Sequence, residues 1–172
     1  MQGSNWGIKR NMKKTKFTNR PQPLSIIRTV EPENVNSIKA KDGWEEILMA
    51  VDSGASGTVV GEDMLETIPT KEGEASKRGV QYEVANGVRI PNLGEKRFRG
   101  ITAEGLARNL TAQVCEVNKA LLSVRKVVQA GNRVAFDLEG SYIEDKKTQQ
   151  RMWLKEENGM YMLRLWVKSE GF

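Results

Sequence analysis

The sequence predicts an all-β domain of short strands with a short helix near the end of its core, and three observations carry that reading. Apolar runs recur at strand length rather than helix length. They are separated by Asp-Gly, Asn-Gly and Gly-Asn turn signals. No strand-like run alternates with a long helical pattern, as a parallel βαβ sheet would require.

Taken in order, the first 23 residues are polar and basic, carry isolated Trp6 and Phe17 without an apolar period, and end in Arg20-Pro21-Gln22-Pro23. They read as a flexible arm. From Leu24 the texture changes. Leu24-Ser25-Ile26-Ile27, Val35-Asn36-Ser37-Ile38 and Ile47-Leu48-Met49-Ala50-Val51 read as strands, the last two joined by a hairpin at Lys41-Asp42-Gly43, because Asp-Gly readily takes the positive φ that such turns need. Gly61 to Ile68 reads as helical. Tyr82 to Ile90 is a second hairpin with Asn86-Gly87 at its tip, and Leu110 to Val117 is apolar at alternate positions. Val124 to Ala130 reads as the short helix, stopped by Gly131-Asn132. Val134 to Ile143 is a third hairpin, and Met152 to Val167 is two more strands around Glu157-Asn158-Gly159. The expected organisation is an arm over 1–23, a core over 24–138 and a C-terminal β extension over 139–172.

Composition then removes most catalytic chemistries. The chain has no histidine and a single cysteine, Cys115, so Ser-His-Asp and Cys-His catalysis and Cys/His zinc sites are excluded. Neither a metal nor a cofactor is expected. One thiol cannot close an intrachain disulfide, which fits a reducing compartment, and on its alternating apolar strand Cys115 reads as a small buried hydrophobe. The formal charge of +5 is unevenly placed: the first 41 residues hold nine Lys/Arg against two acids, the remainder eighteen against twenty. Lys13, Lys14 and Lys16 are therefore read either as part of a solvated tail or as weak phosphate contacts to RNA. No apolar window approaches the roughly 18 residues of a membrane span, and the N-terminus lacks the apolar core of a signal peptide, so a soluble cytoplasmic protein without membrane contact is expected.

Carboxylates, hydroxyls and lysines remain, and one motif uses them. In Val51-Asp52-Ser53-Gly54-Ala55-Ser56 an apolar strand delivers a carboxylate into a tight Ser-Gly turn, and the chain leaves on Gly57-Thr58-Val59-Val60. Such a turn holds an aspartate by backbone N–H groups while leaving it facing a cleft, a suitable mounting for general acid/base work. Asp-[Ser/Thr]-Gly alone is expected by chance in roughly one chain in ten of this length; an apolar strand before it and Ala after it reduce that to about 1% or less.

With these residues the chain resembles the retroviral-type aspartic proteases, or retropepsins, and is most like the protease region of copia-type retrotransposon polyproteins. Val35 to Lys39, Asp42-Gly43 and Ile47 to Ala55 are similar to that family's opening hairpin and catalytic loop. Leu121-Leu122-Ser123, followed by the helix from Val124, resembles the element that buttresses the loop; the family's usual residue after the paired hydrophobes is Gly, and Ser123 matches the copia version. Ala85-Asn86-Gly87 with Ile90-Pro91 and Leu93-Gly94, and Glu157-Asn158-Gly159-Met160-Tyr161, extend the likeness over roughly Leu24 to Val167.

The resemblance implies a closed β fold, with an extra C-terminal hairpin segment, and an aspartic endopeptidase acting on a polyprotein or peptide. Two aspartates sharing one proton are needed to activate water, because like charges that close cannot both ionise. The chain holds one Asp-Ser-Gly, so a homodimer with Asp52 from each subunit is expected. Ser53 would lock the two loops together, Gly54 would let backbone approach substrate, and Ala55 would complete the loop. Val84, Ala85, Asn86, Gly87 and Val88 are the candidate flap over substrate, with Lys77-Arg78-Gly79 competing for that role. The runs Leu24 to Val30 and Val134 to Phe136 are candidates for strands interleaved across the dimer. An intracellular setting, such as a retrotransposon particle, is implied. The alternative is a non-catalytic module of the same fold that dimerises or binds peptides.

Overall fold

The structure, a computed structural model, describes residues 43–169. The arm with Lys13, Lys14 and Lys16, and the strand candidates at 24–30 and 35–39, lie outside the described residues.

Eleven strands and two short helices make up the described chain. Strand β1 (Trp44–Asp52) carries the apolar run into the Asp52 turn, and β2 (Val59–Val60) carries the chain away from it. A one-turn helix α1 (Glu74–Lys77) precedes the hairpin β3 (Gln81–Glu83) and β4 (Arg89–Pro91). Strands β5 (Gly94–Ile101) and β6 (Ala107–Val114) form a longer hairpin, followed by β7 (Ala120–Ser123) and α2 (Val124–Gln129). The rest is β8 (Asn132–Ala135), β9 (Ser141–Asp145), β10 (Arg151–Glu157) and β11 (Met160–Lys168).

The pairings close on themselves in the order β1-β7-β2-β6-β5-β11 and back to β1. Closure is possible because β11 divides one of its edges. Its start pairs with β10 and its end with β5, while its other edge runs antiparallel to β1 from Trp44↔Lys168 to Ala50↔Met162. From β10 the sheet continues outward through β9 to β8. The sheet is mixed, with β1 parallel to β7 and β2 parallel to β6.

The core sits inside this ring and alternation places it there. Along β11, Leu163, Leu165 and Val167 point in while Arg164 and Lys168 point out. Strand β1 is buried on both faces over Ile47–Ala50, which explains why it reads as a continuous apolar run and not an alternating one. Ile143 and Met152 bring β9 and β10 into the same cluster, so the segment from 139 onward packs as part of the body. No helix of the described residues is long and apolar enough to cross a membrane.

Three local expectations change. Gly61 to Ile68 is a series of turns, not a helix. Leu65 lies at φ 52°, outside helical space; Met64 O is taken by a side chain from β5, and Leu65 O by that side chain together with the Ile68 N–H. Lys77-Arg78-Gly79 is the end of α1, not a hairpin tip: Gly79, at φ 66°, donates its N–H to Ser76 O, and Val80 donates to Ala75 O. The strand read at Leu110 to Val117 starts earlier and stops at Val114.

Candidate catalytic loop

The chain leaves β1 at Asp52, crosses the end of β7 and returns as β2 on the far side. Strand β7 lies between the two, parallel to β1 with Asp52 opposite Ser123, and antiparallel to β2. The loop is therefore stretched over the point where β7 turns into α2.

Each loop residue is held for a distinct reason. Asp52 is half-buried, and its Oδ1 accepts the Gly54 N–H at 2.7 Å. That bond closes a tight turn and points the carboxylate along the loop. A Cβ at Gly54 would stand 3.2 Å from the same oxygen, so a side chain there would crowd the acceptor. Ser53 and Gly54 are exposed and Ala55 is half-buried. The far end of the loop is Thr58, buried at 6% exposure.

Ser123 secures the loop from below. It is fully buried. Its Oγ donates to Ala55 O at 2.7 Å and accepts the Lys126 N–H at 3.3 Å, while its own N–H donates to Thr58 Oγ1 at 3.2 Å. One hydroxyl thus caps α2 and anchors the Asp52 turn. Leu122 beside it is core, and Leu121 is half-buried against β2.

The β3–β4 hairpin is a separate two-stranded sheet. Its tip is a four-residue turn, Val84 to Gly87, in which Gly87 at φ 80° donates to Val84 O and Val88 donates to Asn86 Oδ1. Asn86, Gly87 and Val88 are exposed; Val84 and Ala85 are half-buried. Asn92 ties the hairpin's base to the ring, its Nδ2 bonding Tyr82 Oη and Gln113 Oε1 and its Oδ1 accepting the Gly94 N–H.

A buried lysine is the functional-looking group that the sequence reading missed. Lys96, 2% exposed on β5, donates to Met64 O at 2.7 Å, Leu65 O at 3.0 Å and Glu62 O at 3.5 Å. Burial lowers its pKa, and Glu45, Glu66, Asp63 and Glu62 act against that. From β1, Glu45 accepts the N–H groups of Glu66 and Thr67 and the Thr67 hydroxyl. The signal was present: Lys96 has the same parity as Phe98, so strict alternation turns it inward. Among the described residues, no group of three or more carboxylates or thiols is gathered as a metal site.

No model of a known protein family matches the chain, and a search of curated proteins returns no match.

Proposed function

We propose that the chain is one subunit of a homodimeric aspartic endopeptidase of the retropepsin type, cleaving a polyprotein or peptide. The observation that carries this reading is the Asp52 turn spanning from β1 to β2 over β7, with Ser123 tied beneath it. Such an arrangement presents a carboxylate at the surface on a support that does not yield, which acid/base chemistry at a scissile bond requires.

Two such loops meeting at a two-fold axis would bring two Asp52 carboxylates together, one protonated and one ionised. The ionised member takes a proton from water as it attacks the peptide carbonyl, and the protonated member stabilises the forming oxyanion. A proton then passes to the leaving amine. Gly54 keeps side-chain bulk away from the carboxylates, and the exposed Asn86-Gly87 tip would serve as the flap that closes over an extended peptide.

The test is hydrolysis of a peptide library by the full chain at mildly acidic to neutral pH, with a transition-state-mimicking aspartic protease inhibitor as control. Asp52→Asn should remove cleavage while leaving the circular dichroism spectrum unchanged. Cleavage retained by that variant sinks the reading, and absence of cleavage in both favours the non-catalytic module. Specific activity should also fall on dilution as the dimer dissociates; a verified monomer that cleaves would overturn the shared site.

A further inference from the structure

A cavity of about 280 Å³ lies between β6 and α2 on one side and β9, β10 and β11 on the other. Leu110, Val127, Ile143 and Met152 supply apolar walls. Its polar lining includes Arg108, Lys126 and Asp145, with Asn109, Thr111 and Asn132. Thr58, the far end of the Asp52 loop, also lines it.

The charges are unevenly satisfied. Arg108 Nη1 donates to Ala107 O at 2.8 Å, but Nη2 is buried and makes no hydrogen bond, with Asp145 Oδ2 3.7 Å away. Asp145 uses its other oxygen on its own loop: Oδ1 accepts the N–H groups of Lys147 at 2.8 Å and Thr148 at 3.3 Å, which with Arg108 hold its carboxyl below the usual range. Arg108 and Lys126 outnumber Asp145 in the lining, and Arg108 Nη2, ion-paired with Asp145 Oδ2, has no hydrogen-bond acceptor. A buried donor of this kind favours a ligand oxygen strongly, because pairing it removes a desolvation penalty.

We propose that this cavity binds a medium-chain carboxylate, its tail among the apolar walls and its head on Arg108 Nη2 and Lys126. The apolar walls suit an alkyl tail and Arg108 with Lys126 a single anionic head, the two parts that octanoic acid combines. An apolar pocket with a few convergent polar groups is the usual form of a small-molecule site. The binding site does not depend on Asp52 being catalytic.

Calorimetric titration of the full chain at neutral pH and constant ionic strength, with octanoate, 1-octanol and octylamine in turn, tests it. Octanoate is expected to bind one per chain and at least tenfold more tightly than octanol, with octylamine weakest. Arg108→Gln should lower octanoate affinity about tenfold, and Lys126→Gln, on the exposed side of α2, several-fold, with octanol unaffected. Asp52→Asn should bind octanoate like the wild type, so failure of the protease reading leaves this one standing. Methyl shifts at Ile143 and Met152 should report the site. Octanoate that does not saturate, octanol binding equally well, unchanged affinity in both variants, or shifts confined to another region would each overturn the assignment.

Discussion

Ser123 shows how much one residue can be asked to do. Replacing it with Ala removes the bond to Ala55 O and the cap on α2 together. A loss of about 2 kcal/mol is expected from the cap and the buried acceptor left behind, measurable by urea unfolding, with peptide cleavage falling while β content is retained. Unchanged stability would show that the loop is held by other means. Cys115 makes a different prediction. Burial pushes its thiol up from 9.0 to about 11. Between those values the unfolded chain has given up a proton that the folded chain keeps, so this group's contribution to stability declines as pH rises through the window. Cys115→Ala should lack that part of the alkaline loss when unfolding is followed across pH. Both residues were visible in the sequence as to kind: Cys115 as a buried small hydrophobe, Ser123 as part of the buttress. The bonds of Ser123 to Ala55 and Thr58 were not, since those residues lie far from it along the chain.

At the scale of elements, the turn region 61–68 and β5 depend on one another. The apolar spacing of Met64, Leu65 and Ile68 suits a helix, and these three side chains are indeed buried. Their burial is met by turns because Lys96 and Glu45 satisfy the backbone groups that a helix would have satisfied internally. Lys96→Met should leave the buried Met64 carbonyl without a donor, Leu65 O keeping the Ile68 N–H, and cost about 2 kcal/mol; urea unfolding would detect it, and a variant as stable as wild type would refute the role of the amine. Hairpins with Asn-Gly tips were legible because their chemistry is local: Gly87 at φ 80°, and Asn158 and Gly159 at φ 51° and 77°, take backbone conformations that few other residues tolerate. Strand β5 was not legible. Glu95-Lys96-Arg97-Phe98-Arg99 offers one apolar side chain, and its inward lysine is tolerable only because carbonyls from a distant turn replace its water.

For the molecule as a whole, β11 has the largest consequence. It pairs with the Asp52 strand β1 over seven registered positions, closes the ring against β5 and supplies Leu163, Leu165 and Val167 to the core. A chain ending at Leu138 would lose these and expose one edge of β1, so it should show no cooperative unfolding transition and no dispersed NMR spectrum. A folded, soluble 1–138 fragment would contradict this. The same segment carries Glu144, held between Arg133 and Arg151, and Arg151 also stacks over the Tyr142 ring. These contacts add polar order to the outer strands β8, β9 and β10.

The sequence by itself determined the β class, three hairpin tips, the end helix and a carboxylate mounted on a Ser-Gly turn, because each rests on the spacing and backbone preference of residues close along the chain. Only the tertiary structure decided which strand edges meet, that Lys96 is caged, and that β11 closes the ring beside β1. Sheet hydrogen bonds join backbone groups that are alike in every residue. Partner choice therefore follows from how all the apolar faces are buried at once, and no single segment carries that information.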